Sequence, residues 1–412
     1  MGTTGTRARM GWYRELPPPG RRAFTSAFLG YGLDSYDYQV LPLALPAIGV
    51  AFGLSTGQTG LFSTATLVSS AFGGLIAGIL ADRIGRVRTL AITVLAFALF
   101  TALCGLAPNY ETLLVFRVLQ GLGFGGEWAT GAVLVAEYTA ARHRGRVASV
   151  VQSAWAVGWG AAVLVQLGVY ALFEPGTAWR VLFLTGALPA LLVFYLRRGT
   201  EDAPVREREA GPRGSLREIF SGDLLRPTLF AALMTTGVQG GYYTLATWVP
   251  TFLQKDRGLS VVGSTGYTAF LIVGAFLGYL CGGWFTDRLG RKASIGLFAV
   301  VDAVLILLYT QLPASAGDWV LYLGFPLGFC YSAIFSGFGA FLSELYPAHV
   351  RGVGPGFTYN FGRGVGALFP GAVGFLAESW GVGGAMGFAA LAYVLAFLAL
   401  FGLPETRGRE LA

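Results

Sequence analysis

Gly78-Ile79-Leu80-Ala81-Asp82-Arg83-Ile84-Gly85-Arg86-Val87-Arg88 returns later in the chain as Gly283-Trp284-Phe285-Thr286-Asp287-Arg288-Leu289-Gly290-Arg291-Lys292. Each copy closes one apolar run and opens the next, so each reads as a tight turn of glycines and cations between two membrane-length helices. The two aspartates lie 205 residues apart in a chain of 412, which divides the protein into two homologous halves. Parallel repeats of this kind build one class of secondary transporters. A second matched pair, Glu137 to Gly145 and Glu344 to Gly352, recurs at an offset of 207.

With 54% hydrophobic and 12% charged residues and a mean hydropathy of +0.60, the chain is too apolar for a soluble protein of its size. Its apolar runs reach about 20 residues or more, enough to cross a hydrocarbon core of roughly 30 Å as helices. A backbone in lipid must satisfy its own polar groups, and the alternation of a porin strand is absent. The predicted fold is therefore an all-α integral membrane protein with twelve transmembrane helices in two pseudo-symmetric six-helix bundles. The spans fall at 24–50, 58–81, 89–107, 112–139, 147–172 and 179–197, then 227–254, 263–286, 294–312, 318–346, 353–378 and 383–403. The expected organisation is a lead (1–23), an N-terminal bundle (24–197), a linker (198–226), a C-terminal bundle (227–403) and a tail (404–412).

Cations decide the orientation. The segments on the side of the N-terminus hold 23 Lys and Arg, the opposite segments two, and the spans four. By the positive-inside rule both termini face the cytoplasm of a cytoplasmic (inner or plasma) membrane. The net charge of +7 is thus mostly topology and calls for no nucleic acid. Cys104, Cys281 and Cys330 fall in three different spans without metal or disulfide spacing, and read as packing residues.

The first span places Asp34 and Asp37 three residues apart on one helical face. Acids inside a membrane line a cavity or meet a cation. Counting about 1.5 Å per residue from each end, Arg117 of the fourth span reaches the depth of Asp37, with Asp34 and Gln120 close by and Glu127 deeper. Proton affinity rises when a carboxylate is buried and falls when a cation approaches. Asp34, Asp37, Arg117 and Glu127 are therefore the candidate proton-coupling set, because His143 and His349 both lie in turns.

The eleventh span carries Arg363 near mid-membrane with Asn360 one turn away, and an arginine at that depth needs an anionic partner. A substrate carboxylate held by a bidentate guanidinium is the preferred partner. Gln239, Tyr242 and Tyr243 of the seventh span, Gln152 and Trp155 of the fifth, and Gln120 complete the candidate substrate wall. The candidate inner gate comprises Gly78, Asp82, Arg83, Arg86, Glu137 and Arg144, matched by Gly283, Asp287, Arg288, Arg291, Glu344 and Arg351. Individually weak, screened ion pairs suit a latch that must open. Asp302, a lone acid in the ninth span, is a third-line candidate whose face the sequence does not place.

These motifs, Asp34-Ser35-Tyr36-Asp37, the two turn loops, Arg117-x-x-Gln120-Gly121 with Gly125-Gly126-Glu127, and Asn360-x-x-Arg363-Gly364, resemble the sialate:H+ symporter family of the major facilitator superfamily. That family contains lactate-type and sialic acid carriers, with aromatic acid:H+ and metabolite:H+ symporters as relatives. Ser35 stands where glycine is common in the family element. The resemblance implies proton symport of a small organic anion by rocking of two bundles. No cofactor is expected, and the monomer is the expected working unit. An exporter of amphipathic drugs or metabolites is the alternative within the same fold. A membrane enzyme is disfavoured because no intramembrane histidine, metal cluster or nucleotide loop is present, and a channel by the asymmetric halves. A non-transporting sensor stays open.

Overall fold

The computed structural model describes residues 11–125, 144–188, 190, 215–313 and 318–407, and every regular element among them is a helix. The N-terminal half contains α1 (Gly11–Glu15), α2 (Pro18–Phe52), α3 (Thr56–Ile84), α4 (Arg86–Cys104), α5 (Tyr110–Phe124), α6 (Arg144–Leu172) and α7 (Pro175–Thr185). The C-terminal half contains α8 (Leu225–Lys255), α9 (Val261–Leu289), α10 (Arg291–Gln311), α11 (Trp319–Glu344), α12 (Val353–Gly366), α13 (Leu368–Met386) and α14 (Phe388–Ala399). Among the described residues, six helical stretches are long and apolar enough to cross a membrane, the longest being Val353–Met386. Their outward faces stay apolar too: Phe72, Leu75 and Ile79 of α3 are each more than half exposed. A helix apolar on all sides suits lipid as its solvent.

The repeat extends into the backbone beyond the two turn loops. Gly53 and Gly258 end α2 and the loop after α8 in the left-handed region (φ +62° and +64°), and Ser55 and Ser260 then cap the N-termini of α3 and α9. Both of these helices run 29 residues and stop at Gly85 and Gly290, at φ +90° and +99°. A side chain would be strained at either position, which is why the turn motif needs its glycine. The helix contacts repeat as well. A Cβ on Gly73 would lie 2.2 Å from the Leu122 carbonyl, and one on Gly278 2.2 Å from that of Phe329. Thus α3 meets α5, and α9 meets α11, at the same backbone distance in each half.

Several boundaries differ from expectation. The helix of the first span, α2, begins at Pro18, where proline suits the first turn, six residues ahead of the expected start at 24. Ahead of it, α1 docks on the bundle through Trp12 and Leu16, which pack against Ala27, Val147 and Val151. The break foreseen between 378 and 383 is a turn at Gly381, φ +71°, inside α13. After residue 215 the linker forms two short 3-10 turns, Glu218–Phe220 and Gly222–Leu224, tied down where Thr228 donates to the Ile219 carbonyl.

The halves meet along α3 against α12 and α13, α6 against α9, and α2 against α8. Between them lies a cluster of aromatic side chains, and that is where the candidate site sits.

Candidate substrate cavity and buried charges

A cavity of about 420 Å³, its opening included, lies between the halves. From the N-terminal half come Tyr31 and Asp34 of α2, Phe124 of α5 and Trp155 of α6; Tyr242, Tyr243, Tyr279, Phe335, Tyr359 and Arg363 close it from the C-terminal half. Rings pack on rings at the interface: Tyr38 sits 5.9 Å from Trp155 of its own half and 5.5 Å from Tyr243 of the other, and the Trp155 indole donates to the Tyr242 hydroxyl. Eight of the ten wall residues are aromatic, so the site offers flat apolar faces with few polar handles.

Arg363 supplies the positive handle. It is 4% exposed, and α12 holds it beside Tyr359, whose hydroxyl accepts from Nη2 at 3.3 Å. The guanidinium carbon lies 5.0 Å from the Tyr359 ring centre and 5.8 Å from that of Phe124. Among the described residues it makes no ion pair, and its Nε donor is unmatched. Ring faces offset part of the desolvation of a cation, but they leave N–H groups free for an anion. Asp34, 2% exposed, lies on the wall of the same cavity.

Asp37 lies elsewhere. It is 1% exposed and points into the N-terminal bundle, where a Cβ on Gly186 would come within 2.7 Å of its Oδ1. Asp37 and fully buried Arg117 share an electrostatic environment with Cys104, so the expected depth match brings the two into one region. The nearest hydrogen-bond acceptor of Arg117 is the Gln120 side-chain oxygen, and Gln120 Nε2 in turn donates to Thr101 at 2.7 Å. Two aspartates one turn apart thus serve two places: Asp34 the cavity, Asp37 the bundle interior.

Other candidates fall outside the cavity wall. Gln239 donates to the Tyr359 carbonyl at 2.9 Å, Asn360 donates to Gly356 and faces Gly74 of α3, and Gln120 belongs with Arg117. Gln152 is half-buried on α6 and is likewise not part of the wall. The glycines of α5 face neighbouring backbone and not the cavity: a Cβ on Gly121 or Gly125 would overlap α3. Sequence reading missed Tyr31, Phe124, Tyr279, Phe335 and Tyr359. Tyr31 lies one turn from Asp34 and Tyr359 one turn from Arg363, a helical spacing that could have found both.

At the turn after α9, Arg291 donates to Asp287 at 2.8 Å and to both carboxylate oxygens of Glu344 at 3.2 and 3.3 Å. Thr406 also donates to Glu344. Glu405 caps this turn, accepting from the backbone N–H of Arg291 at 2.9 Å and of Lys292 at 3.1 Å. Burial works against ionisation of Glu405, but these donors and the N–H groups of Thr406 and Arg407 hold its carboxyl below the usual range. Arg288 instead stacks over Trp284 at 4.9 Å, Arg83 is exposed at the end of α3, and Arg351 follows the 3-10 turn Ala348–Val350. Among the described residues, a Cβ on Gly78 would meet nothing within 4 Å, and one on Gly283 would lie 3.1 Å from Ser149 Oγ. Glu127 and Glu137, and the side chains of Asp82, Arg86 and Arg144, lie outside the described residues.

The model of the Major Facilitator Superfamily matches residues 27–370 and 264–411. The chain belongs to that superfamily. It is 39% identical over 402 residues to a probable 4-methylmuconolactone transporter of Cupriavidus pinatubonensis, covering 96% of this chain and 93% of that protein. It is 30% identical to a cis,cis-muconate transport protein of Acinetobacter baylyi, with 88% of each chain covered. The crystal structure of a D-xylose–proton symporter superposes with a TM-score of 0.78 at 19% identity, covering 94% of this chain and 99% of that one, a likeness of fold. The protein is therefore a membrane-spanning transporter of a small organic solute, not an enzyme, built as two six-helix bundles.

Proposed function

We propose that this superfamily member is a proton-coupled symporter of a small carboxylate, working by alternating access across the cytoplasmic membrane with both termini in the cytoplasm. The observation that carries the reading is Arg363: a buried guanidinium with no ion pair among the described residues, facing an aromatic-walled cavity. A carboxylate that accepts two N–H groups from Arg363 gains charge-assisted bonds in an apolar space, while a flat, unsaturated body stacks on Tyr243, Tyr359 or Phe124. Relatives named for muconate and methylmuconolactone transport support an organic acid as cargo.

Proton coupling follows from the second charge on the wall. An anion beside an ionised Asp34 would bring two negative charges into one poorly screened space, and a proton on one of them removes the repulsion. Asp37 and Arg117 then form a charge reserve inside the N-terminal bundle, and the cluster of Arg291, Asp287 and Glu344 serves the inner gate.

The test is uptake into proteoliposomes under an imposed inward proton gradient, with radiolabelled cis,cis-muconate, 4-hydroxybenzoate, lactate and sialic acid. One acid should accumulate only with the gradient, and Arg363→Ala should remove the accumulation. Gradient-driven expulsion of cationic dyes with no acid moved would overturn the reading in favour of an exporter.

A further inference from the structure

Asp302 stands halfway along α10, flanked by Val301 and Ala303. It is 0% exposed, and neither carboxylate oxygen has a hydrogen-bond partner among the described residues. The helices packed on α10 are α9, α11, α13 and α14. From α11 come Cys330 and Tyr331 and from α14 Tyr393, each within electrostatic reach of Asp302. Tyr309, two turns along α10, and Tyr279 of α9 approach Tyr331. The acid of α13, Glu378, is occupied elsewhere with the Gly57 N–H. Among the described residues, then, the ionisable groups around Asp302 are phenols and a thiol, with no cation facing it.

An ionised carboxylate in such a place is strongly disfavoured, whereas a carboxylic acid is a neutral donor and acceptor. The surroundings fit the neutral form: the hydroxyls of Tyr309, Tyr331, Ser332 and Tyr393 are all buried and, among the described residues, lack a well-formed hydrogen bond. They also lead somewhere. Tyr242 and Tyr279 belong to the cavity wall; the Tyr242 ring packs edge-on at 5.2 Å against Tyr331, and Tyr279 lies beside Ser332. A series of hydroxyls thus runs from the cavity to Asp302.

We propose that Asp302 is a second proton-binding site of the transporter, in the C-terminal bundle, exchanging its proton with the cavity along the Tyr242, Tyr279, Ser332 and Tyr331 hydroxyls. The inference rests on the symport reading and adds to it a site apart from Asp34 and Asp37. The proton comes from water in the cavity, binds one carboxylate oxygen, and returns to water when the bundles reopen; no other bond changes.

Infrared spectroscopy of the purified full-length protein tests the first half without any substrate. A carboxylic-acid C=O band present in the wild type at neutral pH should vanish in Asp302→Asn, whose amide copies the neutral acid in shape, and persist in Asp34→Asn. An unchanged band in Asp302→Asn overturns the proposal, as does a band abolished by adding sodium, which would mark a metal-cation site. The second half is the proton-to-substrate ratio in proteoliposomes, read with cis,cis-muconate and 4-hydroxybenzoate. Asp302→Asn should move one proton fewer per substrate while retaining substrate exchange, and an unchanged ratio in Asp302→Asn or Asp302→Leu reduces Asp302 to packing and overturns the proposal. Wild-type uptake without proton movement would defeat the symport reading itself, and the Asp302 site with it, before any variant is compared.

Discussion

At one 205-residue offset, Asp34 and Asp37 of α2 correspond to Gln239 and Tyr242 of α8. Gln239 and Tyr242 are engaged as neutral partners, the first bonded to the Tyr359 carbonyl and the second to the Trp155 indole. The arginines are distributed the other way: Arg117 is enclosed in the N-terminal bundle near Asp37, whereas Arg363 of the C-terminal half stands on the cavity wall. Turn glycines, serine caps and the backbone approaches at Gly73 and Gly278 are shared between the halves. The repeat therefore preserves what backbone geometry demands and lets buried charge diverge, with Asp34 on the N-terminal side of the cavity and Arg363 on the C-terminal side.

If that division of labour holds, substitutions should rank accordingly. The largest loss is expected for Arg363→Ala, with gradient-driven uptake falling to background; Arg363→Lys should recover little, since an ammonium lacks the planar two-donor fork. Next comes Asp34→Asn, which should cut gradient-driven accumulation by about tenfold or more, about 1.4 kcal/mol, while leaving substrate exchange. Tyr242→Phe, its neighbour across the cavity, should cost only about twofold to fivefold, the scale of one neutral hydrogen bond. Gly73→Ala and Gly278→Ala probe the shared part. Each forces a methyl against a carbonyl, so both should lower thermal stability by a similar amount, about 1–3 kcal/mol; a large inequality would show that the halves are packed differently.

The smallest expected effect lies at the 290 turn. The Glu405 carboxyl is held below its usual range in the folded protein, so its stabilising contribution is present above the unfolded carboxylate range and lost as pH falls through the folded value. Glu405→Gln should therefore melt slightly lower than wild type at neutral pH, and the gap should close on acidification. A gap that persists in acid would assign the effect to packing.

The two-bundle fold was legible because it is written redundantly: the Asp82 and Asp287 loops and the apolar runs of membrane length point to one architecture. Arg363 was legible for a related reason, since a lone cation in an apolar span needs an anion wherever its face points. Facing itself was not. Asp34 and Asp37 look equivalent in sequence, yet one reaches the cavity and the other the bundle interior, because about 60° of helix rotation separates positions three apart. Gln120 and Asn360 were likewise assigned to substrate and lie off the cavity wall, and the aromatic faces at Tyr279 and Phe335 come from α9 and α11, where most surrounding residues are apolar and a few serines do not mark the inward side. Gly53 and Gly258 with their following serines were readable at the same offset as the turn loops and could have extended the repeat.

The central claim is that Arg363 receives the carboxylate of the transported solute in an aromatic cavity. It is tested most directly by calorimetric binding of a transported aromatic acid and of its carboxamide, equal in shape and lacking the charge, to purified wild-type protein and to Arg363→Gln. The acid should bind the wild type at least about tenfold more tightly than the amide, about 1.4 kcal/mol, and Arg363→Gln should bring the two affinities together. Equal affinities in the wild type, or a preference for the acid that survives in Arg363→Gln, would contradict it.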